Sequence, residues 1–238
     1  MSPLHQSSTR NRLLAALSPD DFFLLQPHLE PVTFGLRQVV VKAGEAISHV
    51  DFVERGQISI LAQIEHGRIE VGMVGPEGIT GTPLVLEASI SPYTFMSQAE
   101  SDVLRIPAEV LQAALSWSGT LRTILLHYVH ALMTQMAQTA FANASYDIEA
   151  RLARWILMMH DRLGTDDLPM THDFLSAMLG NRRSSVTTAT HVLEGNGLIR
   201  ARRGIITVRD RERLEELAGD AYGLAEREYE RLFGSGRA

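Results

Sequence analysis

The spacing of apolar positions changes twice along the chain, and each change predicts a different kind of structure. Over roughly the first 115 residues, apolar residues form short β-type runs separated by glycine turns. Residues 38–41 precede the turn Lys42-Ala43-Gly44-Glu45, and residues 50–53 precede Glu54-Arg55-Gly56. Residues 58–64 and 69–74 flank Glu65-His66-Gly67-Arg68 as a hairpin, Pro76-Glu77-Gly78 breaks the next stretch, and 94–99 and 103–106 complete the series. Strand spacings near ten residues predict a small barrel or roll, not a parallel sheet with crossover helices. Residues 13–25 and 109–115 have the spacing of short flanking helices.

From 120 to 144 the period becomes helical, with no proline or glycine. Leu121, Leu125, Tyr128, Leu132 and Met136 recur at steps of four and three, the seam spacing of paired helices. Ile124, Val129 and Met133 add a second apolar strip. One strip can face the roll and the other a second copy of the chain; a helix packed within one subunit is the alternative. The small residues 142–144 suit a hinge. Asp147 then caps a helix over 148–163, which leads through Gly164-Thr165-Asp166-Asp167 into the next motif.

Residues 171–199 have the pattern of a helix-turn-helix. Thr171 can cap a first helix whose Leu175, Met178 and Leu179 form one apolar stripe, with Ser176 small enough for a close crossing. Gly180 can turn with positive φ at no steric cost. A second helix over 182–193 points Val186, Ala189 and Leu193 inward and Arg182, Arg183, Ser184, Thr187, Thr188 and His191 outward. An exposed Arg/Ser/Thr face suits the DNA major groove, where arginine grips guanine with two hydrogen bonds. A generic helical hairpin is the other interpretation.

Behind this helix, runs at 198–199 and 205–208 flank the basic turn Arg200-Ala201-Arg202-Arg203-Gly204, a β-hairpin wing. A solvated hairpin tip would be the plainer account of these arginines. Charge favours the wing: residues 171–209 carry six arginines against Asp173 and Glu194, a balance of +4 in a chain of net charge −6. Asp210 begins a last amphipathic helix with Leu214, Leu217, Ala221 and Leu224.

Composition narrows the classes. The 238 residues are 45 % hydrophobic and 21 % charged, ordinary for a globular protein with ample core material. No apolar run approaches the ~18 residues a membrane helix needs, and the N-terminus lacks the continuous apolar core of a signal peptide. A cytoplasmic protein with no membrane partner is therefore expected. The absence of cysteine excludes disulfides, thiolate chemistry and cysteine-ligated clusters. His127 and His130 share a helix face but have no third ligand nearby, so no metal site is assigned. Asp20–Asp21 and Asp166–Asp167 suit caps and loops better than acid–base catalysis. Met133, Met136, Met158 and Met159 are expected as core filler. With no phosphate loop, nucleophile elbow or metalloprotease helix, neither an enzyme nor a cofactor is expected.

The order of a glycine-punctuated β-roll, long helix, helix, helix-turn-helix and arginine wing resembles the Crp–Fnr family of bacterial transcription regulators. The similarity spans roughly residues 10 to 209 and is strongest at Glu149-Ala150-Arg151-Leu152-Ala153-Arg154-Trp155-Ile156-Leu157 and at 171–208. It implies an α+β fold. A cyclic-nucleotide-binding-like antiparallel β-roll with a dimerisation helix at about 118–144 fills 1–145, and a winged helix-turn-helix domain fills 146–238. The resemblance puts Thr171 at a phosphate contact and Arg183, Ser184 and Thr188 at base-reading positions, with Arg183 on guanine. Ser184 departs from the glutamate often found there.

The family's effector cassette pairs a glycine-glutamate turn with an arginine about ten residues later. Here Gly78-Ile79-Thr80-Gly81 carries Thr80 in place of the glutamate, and Ser91 stands near the arginine's place. There is no Arg or Lys between Arg68 and Arg105, and the purine-reading pair falls at Met136 and Ala137. The expectation is a homodimeric regulator that binds a palindromic operator through Thr171, Arg182, Arg183, Ser184, Thr187, Thr188, Arg200, Arg202 and Arg203. Leu121, Leu125, Tyr128, Leu132 and Met136 would form its interface. RNA polymerase is a candidate partner, and the effector is an unidentified small molecule other than cyclic AMP, or none. The rival class is a ligand-gated regulatory subunit that controls a partner enzyme through the roll.

Overall fold

Pro19 divides the first expected helix. The computed structural model describes residues 4–65 and 67–234, and in it 13–25 is not one helix but two, α1 (Arg12–Ala16) and α2 (Pro19–Leu25). Proline has no N–H and its ring collides with the preceding turn, so it suits only the first turn of a helix. Leu17 and Ser18 are accordingly extended, and Ser18 caps α2 by accepting from the Asp21 amide.

The chain forms two compact units. The first comprises residues 1–60, 73–133 and 229–238. Strands β1 (Glu30–Phe34), β2 (Val39–Val41), β3 (His49–Arg55), β4 (Ile58–Ile64), β5 (Gly67–Val74), β6 (Thr94–Ser97) and β7 (Ser101–Pro107) follow one another, with the hairpin tip assigned to the other unit. They make a three-stranded sheet ordered β1-β7-β3 and a four-stranded sheet ordered β2-β6-β4-β5. β7 runs antiparallel to both of its neighbours, and β2 antiparallel to β6. His66, expected in the β4–β5 turn, lies outside the described residues. β1 was not anticipated, because its sequence EPVTF has a proline and only Phe34 fully buried. Asn11 shows how completely a buried polar side chain can be satisfied. Its Oδ1 accepts from the Leu13 and Leu14 amides, and its Nδ2 donates to the Val53 and Gly78 carbonyls at 2.9 and 2.8 Å.

Helix α3 (Ala108–Trp117) leads into α4 (Gly119–Ser145). The α4 stripe Leu121, Leu125, Tyr128 and Leu132 is buried within the protomer, and Met136 is half-buried. This corrects the expected interface: the roll needs an apolar cover, and the stripe supplies it, so those side chains are not available to a second copy. Exposed positions instead follow Leu126, His130, Met133, Ala137, Ala140 and Ala144, again at alternating steps of four and three. Leu126 and Met133 are 40 % and 61 % exposed, high values for large apolar residues on a helix.

The second unit comprises 61–72 and 134–228. Its centre is α5 (Ile148–Leu163), capped by Asp147, whose carboxylate accepts from the Ala150 amide at 2.9 Å. Around it lie α6 (His172–Leu179), α7 (Arg183–Gly195), α8 (Arg211–Ala218) and a sheet ordered β8-β10-β9, formed by β8 (Asp167–Pro169), β9 (Ile199–Arg202) and β10 (Ile205–Val208). The single last helix expected from Asp210 stops at Gly219, and α9 (Leu224–Phe233) starts afresh beyond Gly223. Arg154 of α5 is buried. It donates to the carbonyls of Ala221 and Gln135 and to the Thr139 hydroxyl, and burial pulls its pKa down to about 10. It therefore stays charged at neutral pH.

The whole is an α+β protein: an N-terminal antiparallel β-roll, a long helix and a C-terminal helix-turn-helix with its β-hairpin.

Candidate nucleic-acid interface

The helix-turn-helix is built from local signals. Thr171 has extended backbone, and its hydroxyl accepts from the Phe174 amide at 3.2 Å, capping α6. Leu175, Met178 and Leu179 of α6 and Val186, Ala189 and Leu193 of α7 are buried, as their spacing predicts. Thr190 is buried too, its hydroxyl satisfied by the Val186 carbonyl at 2.8 Å. Gly180 turns the chain at φ +60°, and a Cβ there would lie 2.7 Å from the end of the Ile69 side chain, which comes from the β4–β5 tip in the same unit. Gly180→Ala is expected to cost about 1–2 kcal/mol, chiefly from the left-handed backbone. Thermal unfolding measures it; an unchanged stability would mean that the turn tolerates a side chain.

Arg182, Arg183, Ser184, Thr188 and His191 are exposed, forming one polar face of α7 from its first turn onward. Arg182 is the residue immediately before α7, and its side chain makes no capping bond. The Thr188 hydroxyl donates to the Ser184 carbonyl one turn back at 3.1 Å. Thr187 is half-buried and its hydroxyl lies 3.0 Å from His172 Nδ1. Arg183 Nε stands 2.9 Å from Asp173 Oδ1 of α6, with side chains 67 % and 70 % exposed. Sequence reasoning missed the contacts of His172 and Asp173. They lie in the first turn of α6, ten or more residues from their partners, and no periodicity connects them.

The wing follows directly. β9 and β10 pair antiparallel from Arg202↔Ile205 to Ile199↔Val208, and Gly204 turns between them at φ +77°. β8, not anticipated because only Leu168 of its three residues is buried, adds a third strand on β10. Glu194 of α7 accepts from the Ala201 amide at 2.9 Å, tying the hairpin to the end of the helix. Arg200, Arg202 and Arg203 are all exposed. The second unit thus contains all nine residues expected at DNA.

The expected effector residues are divided. Gly78, Thr80 and Ser91 belong to the first unit, Met136 and Ala137 to the second. Gly78 abuts the buried Tyr128 ring so closely that a Cβ would sit 2.1 Å from its hydroxyl oxygen. The Thr80 hydroxyl donates to Asp51 and accepts from the Asp51 amide, both at 3.0 Å, and Asp51 is paired with Arg105 at 2.7 Å. Ser91 turns on itself, donating to the Tyr93 carbonyl and accepting from the Tyr93 amide. In this part of the roll Gly78 meets an aromatic ring, and the Thr80 and Ser91 hydroxyls are held by hydrogen bonds within the unit. Among the described residues no group of three or more His, Asp or Glu could hold a metal ion.

Two family models match the sequence: a Crp-like helix-turn-helix domain over residues 150–217 and a cyclic nucleotide-binding domain over 31–116. No curated protein matches it. Among solved structures, FixK2 from Bradyrhizobium japonicum is similar with a TM-score of 0.70 at 17 % identity, over 80 % of this chain and 98 % of that one. A CRP-family transcriptional regulator from Thermus thermophilus gives 0.68 at 17 % identity, over 79 % and 96 %. The c-di-GMP responsive global regulator CLP of Xanthomonas campestris gives 0.62 at 17 % identity, over 81 % and 99 %.

Proposed function

We propose that this chain, which belongs to the Crp–Fnr family of transcription regulators, binds a palindromic DNA site as a homodimer and regulates transcription there. The observation that carries this reading is the exposed Arg/Ser/Thr face of α7 followed by the exposed wing arginines, all in one unit of an acidic chain. Arg183, Ser184 and Thr188 would read base edges in the major groove, while Thr171, Arg200, Arg202 and Arg203 would grip phosphates. Such a protein acts in the cytoplasm, with RNA polymerase as a further partner; no described helix is long and apolar enough to cross a membrane.

The seam that would join two copies is Leu126, His130, Met133, Ala137, Ala140 and Ala144, not the buried stripe one residue away from it. Its steps of four and three are those of a left-handed helix pair, and the small residues at its C-terminal end let two backbones approach closely. A dimer joined along this seam would have twofold symmetry, as an operator with half-sites one turn of DNA apart requires.

A salt-titrated gel shift tests the DNA reading. Each phosphate neutralised adds about 0.9 to the negative slope of log affinity against log salt, so binding through several arginines gives a steep decline. A chain that controlled a partner enzyme through its roll would retard no duplex at any salt concentration.

The effector, if one exists, is neither cyclic AMP nor cyclic GMP. No Arg or Lys lies between residues 68 and 105, and beside Thr80 the neighbouring Arg105 is already paired with Asp51, whose carboxylate would meet a phosphate with another anion. A buried phosphate without a cation is too costly to desolvate. Calorimetric titration with cyclic AMP and cyclic GMP is expected to give no heat at micromolar ligand; micromolar affinity for either would overturn this assignment.

A further inference from the structure

We propose that Asp173 is a positioning residue for base recognition: its carboxylate holds the Nε edge of Arg183 and so presents the other edge of the guanidinium to the DNA. This rests on the reading of α7 as the recognition helix. An arginine has five N–H donors in a rigid fork. Asp173 Oδ1 lies 2.9 Å from Nε as an ion pair on that edge of the guanidinium, and the Nη1 and Nη2 donors remain for the O6 and N7 acceptors of guanine. A second interaction points the same way. His172, Asp173's neighbour in the first turn of α6, meets Thr187 of α7 at 3.0 Å, so this turn supports two side chains one helical turn apart on the reading helix.

Stability is a poor account of the Asp173–Arg183 pair. Both side chains are about two-thirds exposed, and exposed ion pairs contribute little to folding. Under a bound duplex water is excluded and the same pair becomes stronger. A carboxylate this close to the groove would also repel phosphates unless it were paired. Asp173 therefore favours binding only while Arg183 holds it, and opposes binding once Arg183 is gone.

The test uses full-length protein, a duplex selected by the wild type from a random pool, the same duplex with each base pair substituted in turn, and a random duplex. The base pair read by Arg183 is the one whose substitution weakens wild type but not Arg183→Ala. At that pair Asp173→Asn is expected to lose about tenfold in discrimination, with the other pairs unaffected. Its affinity for random duplex should stay level or rise. In the Arg183→Ala background Asp173→Asn should cost nothing and recover part of the lost affinity. Equal losses by Asp173→Asn at all base pairs, or the same loss with and without Arg183, would overturn the proposal and leave α7 as the reading helix. Discrimination unchanged by Arg183→Ala would overturn the role of Arg183 in base reading itself, and that of Asp173 with it. Matching thermal unfolding curves for Asp173→Asn and wild type accompany the supporting result.

Discussion

Met133→Asp is expected to convert a dimer into a 26.3 kDa monomer and to lower affinity for a palindromic site by a hundredfold or more. Met133 is 61 % exposed at the centre of the Leu126–Ala144 seam, so an aspartate there remains in water in the protomer and leaves its fold intact. In a dimer it meets its own symmetry mate, where two like charges out of water repel strongly. The loss at the operator is large because two linked reading heads bind with an avidity of roughly 10²–10⁴ over one. Affinity for random DNA, set by the grip of each head on phosphates, should fall much less. Leu132→Asp is the informative contrast. Leu132 is buried, and a charge there should damage the fold of the protomer. Light scattering separates the two. A Met133→Asp protein that remained a dimer with full operator affinity would exclude this seam.

Arg183→Ala is expected to cost about 1–3 kcal/mol at the cognate site, the loss of one bidentate guanine interaction. Binding to random duplex should change little by comparison. Replacing Arg202 or Arg203 should behave differently, weakening all sequences similarly and lowering the salt slope by about 1 for each phosphate no longer neutralised. Fluorescence anisotropy with cognate and random duplexes at two salt concentrations distinguishes the classes. Equal losses on both duplexes for Arg183→Ala would reassign it to the phosphate-binding group.

What the sequence revealed depended on distance along the chain. The helix-turn-helix was legible because each of its signals is local: the Thr171 cap, the Gly180 turn, and apolar steps within two short helices. The Asp147 cap and the bounds of α5 were legible for the same reason. β1 and β8 were not, since each carries a proline, Pro31 and Pro169, and few of their residues are buried. Helix α4 is apolar on more than one side. Its periodicity therefore reveals a helix but not which strip covers the roll, a choice made by strands far away in sequence. The missing cation of the effector cassette could be read directly from residues 69–104, whereas the Tyr128 ring against Gly78 could not, because the two are brought together only by folding. The Asp173–Arg183 pair escaped for a related reason: it spans the turn between two helices, and a lone acid in a first helical turn looks like an ordinary dipole partner.

Selection of bound duplexes from a random pool by the full-length protein tests sequence reading and dimer geometry together. The account predicts enrichment of an inverted repeat whose half-sites are centred about one helical turn apart, roughly 10 base pairs, with a G·C pair in each half-site that Arg183→Ala no longer selects. Recovery of no common sequence, or of a single asymmetric motif bound by one copy of the chain, would contradict it.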